Sequence, residues 1–189
     1  IDLGSTARTQ ISILVGVDRS GPRPQVWIID AVESTRNGTL PEQDADATVD
    51  MLERWGWTWK DLKGACCDIA HDPGATLNLS RKSAARMAVA LKHRLGLVSG
   101  AGEHSDPLVP RLRAAKTGKG SKPRGSRRAG HEFIWAAMLR GDFFVLDTPG
   151  GRRVAECLEI FRDSGVKDPG GHAIDGLRYA LDLDIREFR

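Results

Sequence analysis

Two apolar, β-branched runs separated by a glycine–proline turn are the feature that most constrains the fold of this chain. The first run is Ile11–Val17 (ISILVGV), which we expect to begin near Thr9, and the second is Gln25–Glu33 (QVWIIDAVE). β-Branched and aromatic residues favour strands, and the sequence SGPRP over 20–24 is typical of a turn. Two such strands in succession predict an antiparallel hairpin.

Downstream of this hairpin, helical and strand-like segments alternate. Short apolar runs predict strands at Lys63–Ile69 and Asp142–Leu146. Apolar residues at helical spacing predict helices at Asp44–Trp55, Ser80–Leu95, Arg127–Arg140, Pro149–Phe161 and His172–Ile185. Strands that alternate with helices predict an α/β fold with a mixed sheet and helices on both faces. Because 189 residues is about the size of one domain, we expect a single domain over residues 1–189.

The composition is that of an ordinary globular protein, with 40% hydrophobic and 28% charged residues. No apolar run approaches about 18 residues, so we expect no membrane span, and no secretory signal opens the chain. The cysteines Cys66, Cys67 and Cys157 have no CxxC spacing, so we expect buried, reduced thiols. Because the chain starts at Ile1 rather than Met, an excised piece of a longer protein is one interpretation.

Positive charge is concentrated in one stretch of a chain whose net charge is only +3. Between Pro107 and Gly130 there is no acidic residue. The basic residues of this stretch are Arg111, Arg113, Lys116, Lys119, Lys122, Arg124, Arg127 and Arg128. Its glycine, serine and proline content predicts a loop or a mobile hairpin. A basic stripe on a near-neutral body indicates a polyanionic partner, although a solvated loop explains the same composition.

Three aspartates stand where carboxylates can carry chemistry. Asp2 opens the string IDLGST over 1–6, in which glycine lets a phosphate or metal approach the backbone. Asp68 falls within or at the end of a buried strand, where an unpaired carboxylate is costly. Asp175 shares a helix face with His172. Each has a structural alternative: a turn residue for Asp2, a strand-end cap for Asp68, and helix N-terminal stabilisation or capping for the last pair.

Taken together, the three carboxylates fit a site for phosphodiester cleavage. That reaction needs an activated water and a stabilised leaving oxygen. Two divalent ions about 4 Å apart supply both when carboxylates bridge them. Hard oxygen ligands select Mg²⁺ or Mn²⁺.

The order of strand aspartate, hairpin, helix, strand aspartate, helices and final-helix aspartate resembles the RNase H-like superfamily. The ending GGHAIDGLRYALD (170–182) and the segment CDIAHDP (67–73) are similar to the nuclease domain of phage terminase large subunits. The resemblance covers essentially the whole chain, and 170–182 is its most specific part. It implies an RNase H-like mixed central sheet with helices on both faces. It also implies a metal-dependent DNA endonuclease that cuts concatemeric viral DNA during genome packaging.

The resemblance assigns the site residues one by one. Asp68 and Asp175 match the second and third metal-binding acids, and His172 matches a histidine near the metals in part of the family. The first acid is Asp2 or Asp18. Asp18 follows the better strand, but only Asp2 leaves two strands after it, as the fold requires. We favour Asp2, although residues upstream of this chain would form most of its strand.

The resemblance further implies cofactors and partners. The cofactors are two Mg²⁺ or Mn²⁺ ions, and the substrate is double-stranded DNA. Candidates for phosphate contacts, which position the duplex without reading its sequence, are Lys116, Lys119, Lys122 and Arg124. An ATPase motor domain would lie upstream, outside this chain. The terminase small subunit and the portal would be further partners in the cytoplasm of the infected bacterial host.

Several alternatives stay open. Another RNase H-like nuclease, such as a Holliday-junction resolvase, would use the same acids on four-way junctions. A non-catalytic DNA-binding packaging module would bind DNA without cutting it. DLGST (2–6) also resembles the phosphate loop of actin-like ATPases, but the chain is short and lacks a second such loop, and TGKGS (117–121) does not complete a P-loop. We interpret the clustered Trp55, Trp57 and Trp59 as packing residues rather than base-stacking residues.

Overall fold

The computed structural model describes residues 10–34, 41–67, 90–97, 109, 112–114, 125–161 and 171–182. The strands and helices of these residues are, in chain order, β1 (Gln10–Asp18), β2 (Gln25–Ser34), α1 (Pro41–Arg54), β3 (Ala65–Cys67), β4 (Leu112–Ala114), α2 (Gly125–Leu139), β5 (Phe143–Val145), α3 (Pro149–Ile160) and α4 (Gly171–Asp182). A short 3-10 turn covers Trp59–Asp61, and residues 90–94 are also helical. None of the described helices is long and apolar enough to cross a membrane.

The predicted hairpin is confirmed. β1 and β2 pair antiparallel from Gln10↔Ser34 to Asp18↔Gln25, with one irregularity in the register after Leu14. β5 joins the other edge of β2 in parallel, so the sheet has the order β1-β2-β5 and is mixed. The protein is therefore of the mixed α/β class, with a three-stranded mixed sheet and helices among the described residues.

Both faces of β1 are covered, because its side chains alternate between two apolar cores. Ile11 and Ile13 point into a core shared with α2, α3 and α4. Leu14 points into a second core, with residues of α1 and of the 90–94 helical stretch. On the same side, Ser12 shares a buried hydrogen bond of 2.8 Å with Thr48 of α1. Helices thus pack on both sides of the hairpin, as the alternating segments predict.

The boundaries of several elements differ from the prediction. The basic stretch, expected to be a loop or a mobile hairpin, contains a strand, β4, which pairs in parallel with β3 in a second, two-stranded sheet. Burial of Leu112 explains why this charged stretch holds a strand, since its apolar side chain joins the second core. α1 begins at Pro41 rather than Asp44, and proline suits a first helical position because its missing N–H has no intrahelical acceptor there.

The predicted buried thiols are confirmed for Cys66 and Cys157, which are buried and free. The clustered tryptophans differ in how exposed they are. Trp59 is buried in the second core, whereas Trp55 and Trp57 are each 38% exposed. The two exposed rings lie 6.4 Å apart.

A cleft with a volume of about 670 Å³ is lined by β1 from Ser12 to Val17, by α1 residues such as Met51, and by the segment 61–66 that leads into β3. β1 pairs with β2 at one edge, and no described strand pairs with it at the other. Natural edge strands usually carry charge or proline that blocks further pairing, but residues 11–17 carry neither. This edge of β1 therefore has the character of an interior strand.

Asp30, in the middle of β2, ties the sheet to two helices. Its Oδ2 accepts hydrogen bonds from Arg54 Nη2 at 2.9 Å and from Trp55 Nε1 at 3.3 Å. Its Oδ1 accepts from the Ala31 N–H at 2.9 Å and from Thr148 Oγ1, the N-cap of α3, at 3.3 Å. Burial alone raises the pKa of Asp30, but the hydrogen bonds from Arg54, Ala31 and Trp55 outweigh it and lower the pKa below its usual value.

We expect Asp30→Asn to lower the free energy of unfolding by about 1–3 kcal/mol at pH 7, because an amide nitrogen cannot accept the bonds that the carboxylate accepts. A group with a lowered folded-state pKa contributes stability above its unfolded pKa and loses it as the pH falls through the folded value. The difference between wild type and variant should therefore shrink below about pH 4. Urea unfolding at pH 7, 5 and 3 measures it.

Asp50→Asn is the matched control, because Asp50 is an exposed acid on α1 whose arginine partner is Arg94. Exposed ion pairs contribute about 0–1 kcal/mol, so this control should change stability little. If Asp30→Asn lowers the free energy of unfolding by the same amount from pH 7 to pH 3, the lowered pKa of Asp30 is contradicted.

Candidate functional site

The best-defined candidate for chemistry lies on α4, which packs across one end of β1. The buried side chains of α4 form its apolar face and are Ala173, Ile174, Leu177 and Leu181. Gly176 lies against the strand, since a Cβ added there would be 3.2 Å from Ile13 Cδ1 and 3.7 Å from Ile11 Cγ2. Asp175, the preceding residue, is therefore near the Gln10 end of β1.

α2 crosses α4 at a glycine. A Cβ added to Gly130 would lie 2.5 Å from Cγ and 2.7 Å from Cδ of Arg178, distances that real Cβ atoms essentially never show. The absence of a side chain at this position lets the two helices approach closely. It also brings the next residue of α2, His131, towards the first turns of α4.

At this crossing His131, Asp175 and Arg178 form a group that we call the Asp175 cluster. Arg178 Nε donates to Asp175 Oδ1 at 3.3 Å, and His131 Nε2 lies 3.9 Å from the same oxygen. The guanidinium of Arg178 also lies over the ring of Tyr179, 4.4 Å from its centroid. The side chains are 5%, 21% and 10% exposed for His131, Asp175 and Arg178 respectively. The carboxylate is therefore the most accessible member of the cluster.

His131 is the anomaly in this cluster. Its Nε2 is buried without a hydrogen-bond partner, the one such side-chain atom found among the described residues. A buried polar atom without a partner costs about 1–3 kcal/mol, and most buried polar groups have one. The ring is packed edge-on against Phe161, with centroids 5.2 Å apart and planes at 78°. Such a group points to a contact that a bound ligand or a small shift would complete.

β3 approaches the same helix. Cys66 of β3 and Tyr179 of α4 are buried against each other. Tyr179 follows Asp175 by four residues, so the two lie on the same face of α4. Asp68 is the first residue after β3 in the sequence. β3, which leads to Asp68, thus contacts the face of α4 that carries Asp175.

The structure describes only part of the predicted site. Asp2, Asp68 and the basic residues Lys116, Lys119, Lys122 and Arg124 lie outside the described residues. His172 occupies the first turn of α4, and its side chain lies outside the described part. Asp175 and the alternative first acid, Asp18, are both described.

Asp18 lies at the hairpin-turn end of β1. It ends the strand, is exposed, and accepts a hydrogen bond of 2.8 Å from the Ser20 N–H. That bond and the Ser20 side chain lower the pKa of Asp18. Ile13, which lies next to Gly176, is five residues away, or about 17 Å at 3.3 Å per residue. This separation favours Asp2, but the choice between Asp2 and Asp18 stays a prediction because Asp2 lies outside the described residues.

Nothing in the linear sequence singles out His131, which stands in a helix among apolar residues and has no acid at helical spacing on α2. Its significance arises from the crossing with α4, which brings it near a residue 44 positions later. Among the residues that the structure describes, no group of three or more histidine, cysteine, aspartate or glutamate side chains is arranged to hold a metal ion. The predicted ligands Asp2 and Asp68 lie outside the described residues.

Comparisons of the chain with protein-family models, with curated proteins and with solved structures returned no match.

We expect Gly130→Ala to destabilise the protein by about 1–3 kcal/mol through overpacking. The sign of this change in stability is informative, because alanine in an unobstructed helix interior is more favourable than glycine by up to about 1 kcal/mol. Urea unfolding measures the change. A variant as stable as wild type, or more stable, would contradict the close crossing of α2 and α4.

Proposed function

We propose that this protein is a metal-dependent DNA endonuclease of RNase H-like architecture, with Asp2, Asp68 and Asp175 as its metal-binding acids. The observation that carries the proposal is the Asp175 cluster, in which a partly exposed carboxylate lies beside a buried histidine nitrogen without a partner. The resemblance of 170–182 to the last motif of terminase nucleases supports the same residue. A role in viral genome packaging, with an upstream ATPase domain, a small subunit and a portal, rests on that resemblance alone.

The chemistry of the described donors fits a divalent cation. A carboxylate oxygen is the ligand type that Mg²⁺ and Mn²⁺ prefer. Asp175 is accessible enough to meet an ion, with a side chain that is 21% exposed. Arg178 opposes binding by its charge, yet its contact with Asp175, at 3.3 Å, is longer than a strong charge-assisted bond. Asp68 and Asp2 would complete the set of hard oxygen ligands.

The edge of β1 that faces away from β2 supports Asp2 as the first acid. A strand ahead of β1 would pair with this apolar edge, which no described strand occupies, next to the cleft lined by β1 and by the segment that leads into β3. Such a strand, returning through a turn before Gln10, would carry Asp2 to the end of β1 that contacts Gly176. Asp2 would then lie beside α4, and also beside the strand that leads to Asp68.

Each residue has a distinct task in the proposed reaction. Asp2, Asp68 and Asp175 would hold two divalent ions, and His172 would be a nearby ligand or proton shuttle. When bound, the ions would supply activation of a water and charge stabilisation at the leaving oxygen of the phosphodiester. Arg178 orients one oxygen of Asp175 by donating from Nε. The cores on both faces of β1 keep the supporting elements rigid.

The basic stretch is connected to this site through α2. Lys116, Lys119, Lys122 and Arg124 precede α2, which begins at Gly125. Gly125 is five residues before Gly130, about 7.5 Å along the helix axis. The stretch therefore leads into a helix whose second turn lies at the Asp175 cluster, which is a suitable place for phosphate contacts with a duplex.

Plasmid cleavage with Mn²⁺ tests the proposal directly. We expect Asp175→Asn, Asp68→Asn and Asp2→Asn each to lower the cleavage rate by at least about a hundredfold, since metal stabilisation of the transition state is worth several kcal/mol. Asp18→Asn is the matched control and should cleave as wild type does, because Asp18 lies at the far end of β1.

Thermal melts of the same variants separate loss of chemistry from loss of folding, which matters most for Asp175 because of its contact with Arg178. Undiminished cleavage by folded Asp68→Asn and Asp175→Asn would refute the nuclease proposal. Preference for four-way junctions over linear duplex would favour a resolvase, and DNA binding without cleavage would favour a non-catalytic packaging module.

The basic stretch has its own test, in DNA binding at different salt concentrations. We expect Lys119→Gln to weaken binding and to reduce the slope of log K against log salt concentration by roughly 0.9, the value for one phosphate contact. Arg152→Gln on α3 is the control, since Arg152 is exposed and paired with Asp147. Equal slopes for wild type and Lys119→Gln would remove this residue from the DNA interface.

A further inference from the structure

His131 offers a hydrogen-bonding nitrogen that the described fold does not use. Its Nε2 has no partner, and its side chain is only 5% exposed, so water does not satisfy it from the surface. The polar atom that it faces is Asp175 Oδ1, at 3.9 Å. That distance is about 1 Å longer than an N–H···O hydrogen bond. A small movement of the carboxylate is enough to close it.

The imidazole is held in place from its other sides. Phe161 packs against its ring at 78°, and the crossing at Gly130 fixes the distance between α2 and α4. The ring therefore cannot turn towards solvent to satisfy its nitrogen elsewhere. Asp175, in contrast, is 21% exposed and is the more accessible partner of the pair.

On the basis of the proposed function, we infer that His131 is the positioning residue for Asp175, donating from Nε2 to its carboxylate when Asp175 ligates a divalent cation. A carboxylate that ligates a metal is usually held by a hydrogen bond that fixes its orientation. Arg178 Nε donates to the same oxygen at 3.3 Å, and His131 Nε2 lies 3.9 Å from it. His131 supplies a second donor from a buried position.

A purely structural role for His131 makes a different prediction. If the ring only fills space beside Phe161, then an aromatic substitute without nitrogen will preserve all of its function. If Nε2 orients Asp175, then the same substitute will fold well and yet bind metal more weakly. The two roles therefore differ in metal affinity and not in stability.

Mn²⁺ binding, followed by electron paramagnetic resonance of the free ion, separates these roles without any measurement of activity. His131→Phe keeps the ring and removes the nitrogen, and His131→Asn moves the donor towards the Nδ1 position. We expect both to bind Mn²⁺ tenfold to a hundredfold more weakly than wild type, in line with the loss of an outer-sphere partner. His131→Gln, whose amide reaches the Nε2 position, should restore most of the affinity.

His93→Phe is the matched control, because His93 is exposed and lies on the helical stretch 90–94. It should leave Mn²⁺ affinity unchanged. Thermal melts accompany each variant, and His131→Phe should melt at least as high as wild type, since it removes a buried atom without a partner. If His131→Phe unfolds, the comparison of His131→Asn with His131→Gln carries the test.

The results also separate this inference from the nuclease proposal. Wild-type Mn²⁺ binding that weakens in His131→Phe, without plasmid cleavage by wild type, supports the positioning role and refutes the nuclease. Cleavage by wild type together with unchanged Mn²⁺ affinity in folded His131→Phe overturns the positioning role alone. Absence of Mn²⁺ binding by wild type overturns both.

Discussion

The close crossing of α2 and α4 at Gly130 is the constraint on which the candidate site depends. A side chain at this position would overlap Arg178, so glycine decides how near the two helices come. At that separation a histidine on one helix faces a carboxylate on the other, 3.9 Å away. Arg178 Nε lies 3.3 Å from the same oxygen, so the cluster places an arginine and a histidine beside one partly exposed carboxylate.

The sheet positions α4 at that crossing. β1 is packed on both faces, and α4 contacts it through Gly176. Asp30 holds the neighbouring strand to the end of α1 and to the start of α3 through buried hydrogen bonds. No described strand pairs with the second edge of β1, and the cleft beside it is also lined by the segment that leads into β3. An additional strand in the cleft would join the two sheets into one, which is the continuous central sheet that the sequence predicts.

The sequence predicts the elements well where a pattern is local. The β-branched, apolar runs and the turn between them are sufficient for the hairpin, and helical spacing is sufficient for α2 and α3 within about two residues and for the start of α4 within one. The sequence does not predict β4, because Leu112 is apolar among basic residues and becomes a strand only by pairing with β3. It does not predict the proposed role of His131 either, since that role depends on a contact between two helices. The choice between Asp2 and Asp18 stays a prediction, which the separation along β1 favours in the direction of Asp2.

The most direct test of the account is where Mn²⁺ binds, which paramagnetic broadening of amide signals in a ¹⁵N-labelled sample measures. We predict selective broadening of amide signals in the first turns of α4 around Asp175 and in α2 around His131. Signals of the hairpin turn from Asp18 to Arg23, at the opposite end of β1, should stay sharp. Broadening at that turn, or no selective broadening at α4, would contradict a metal site built on Asp175.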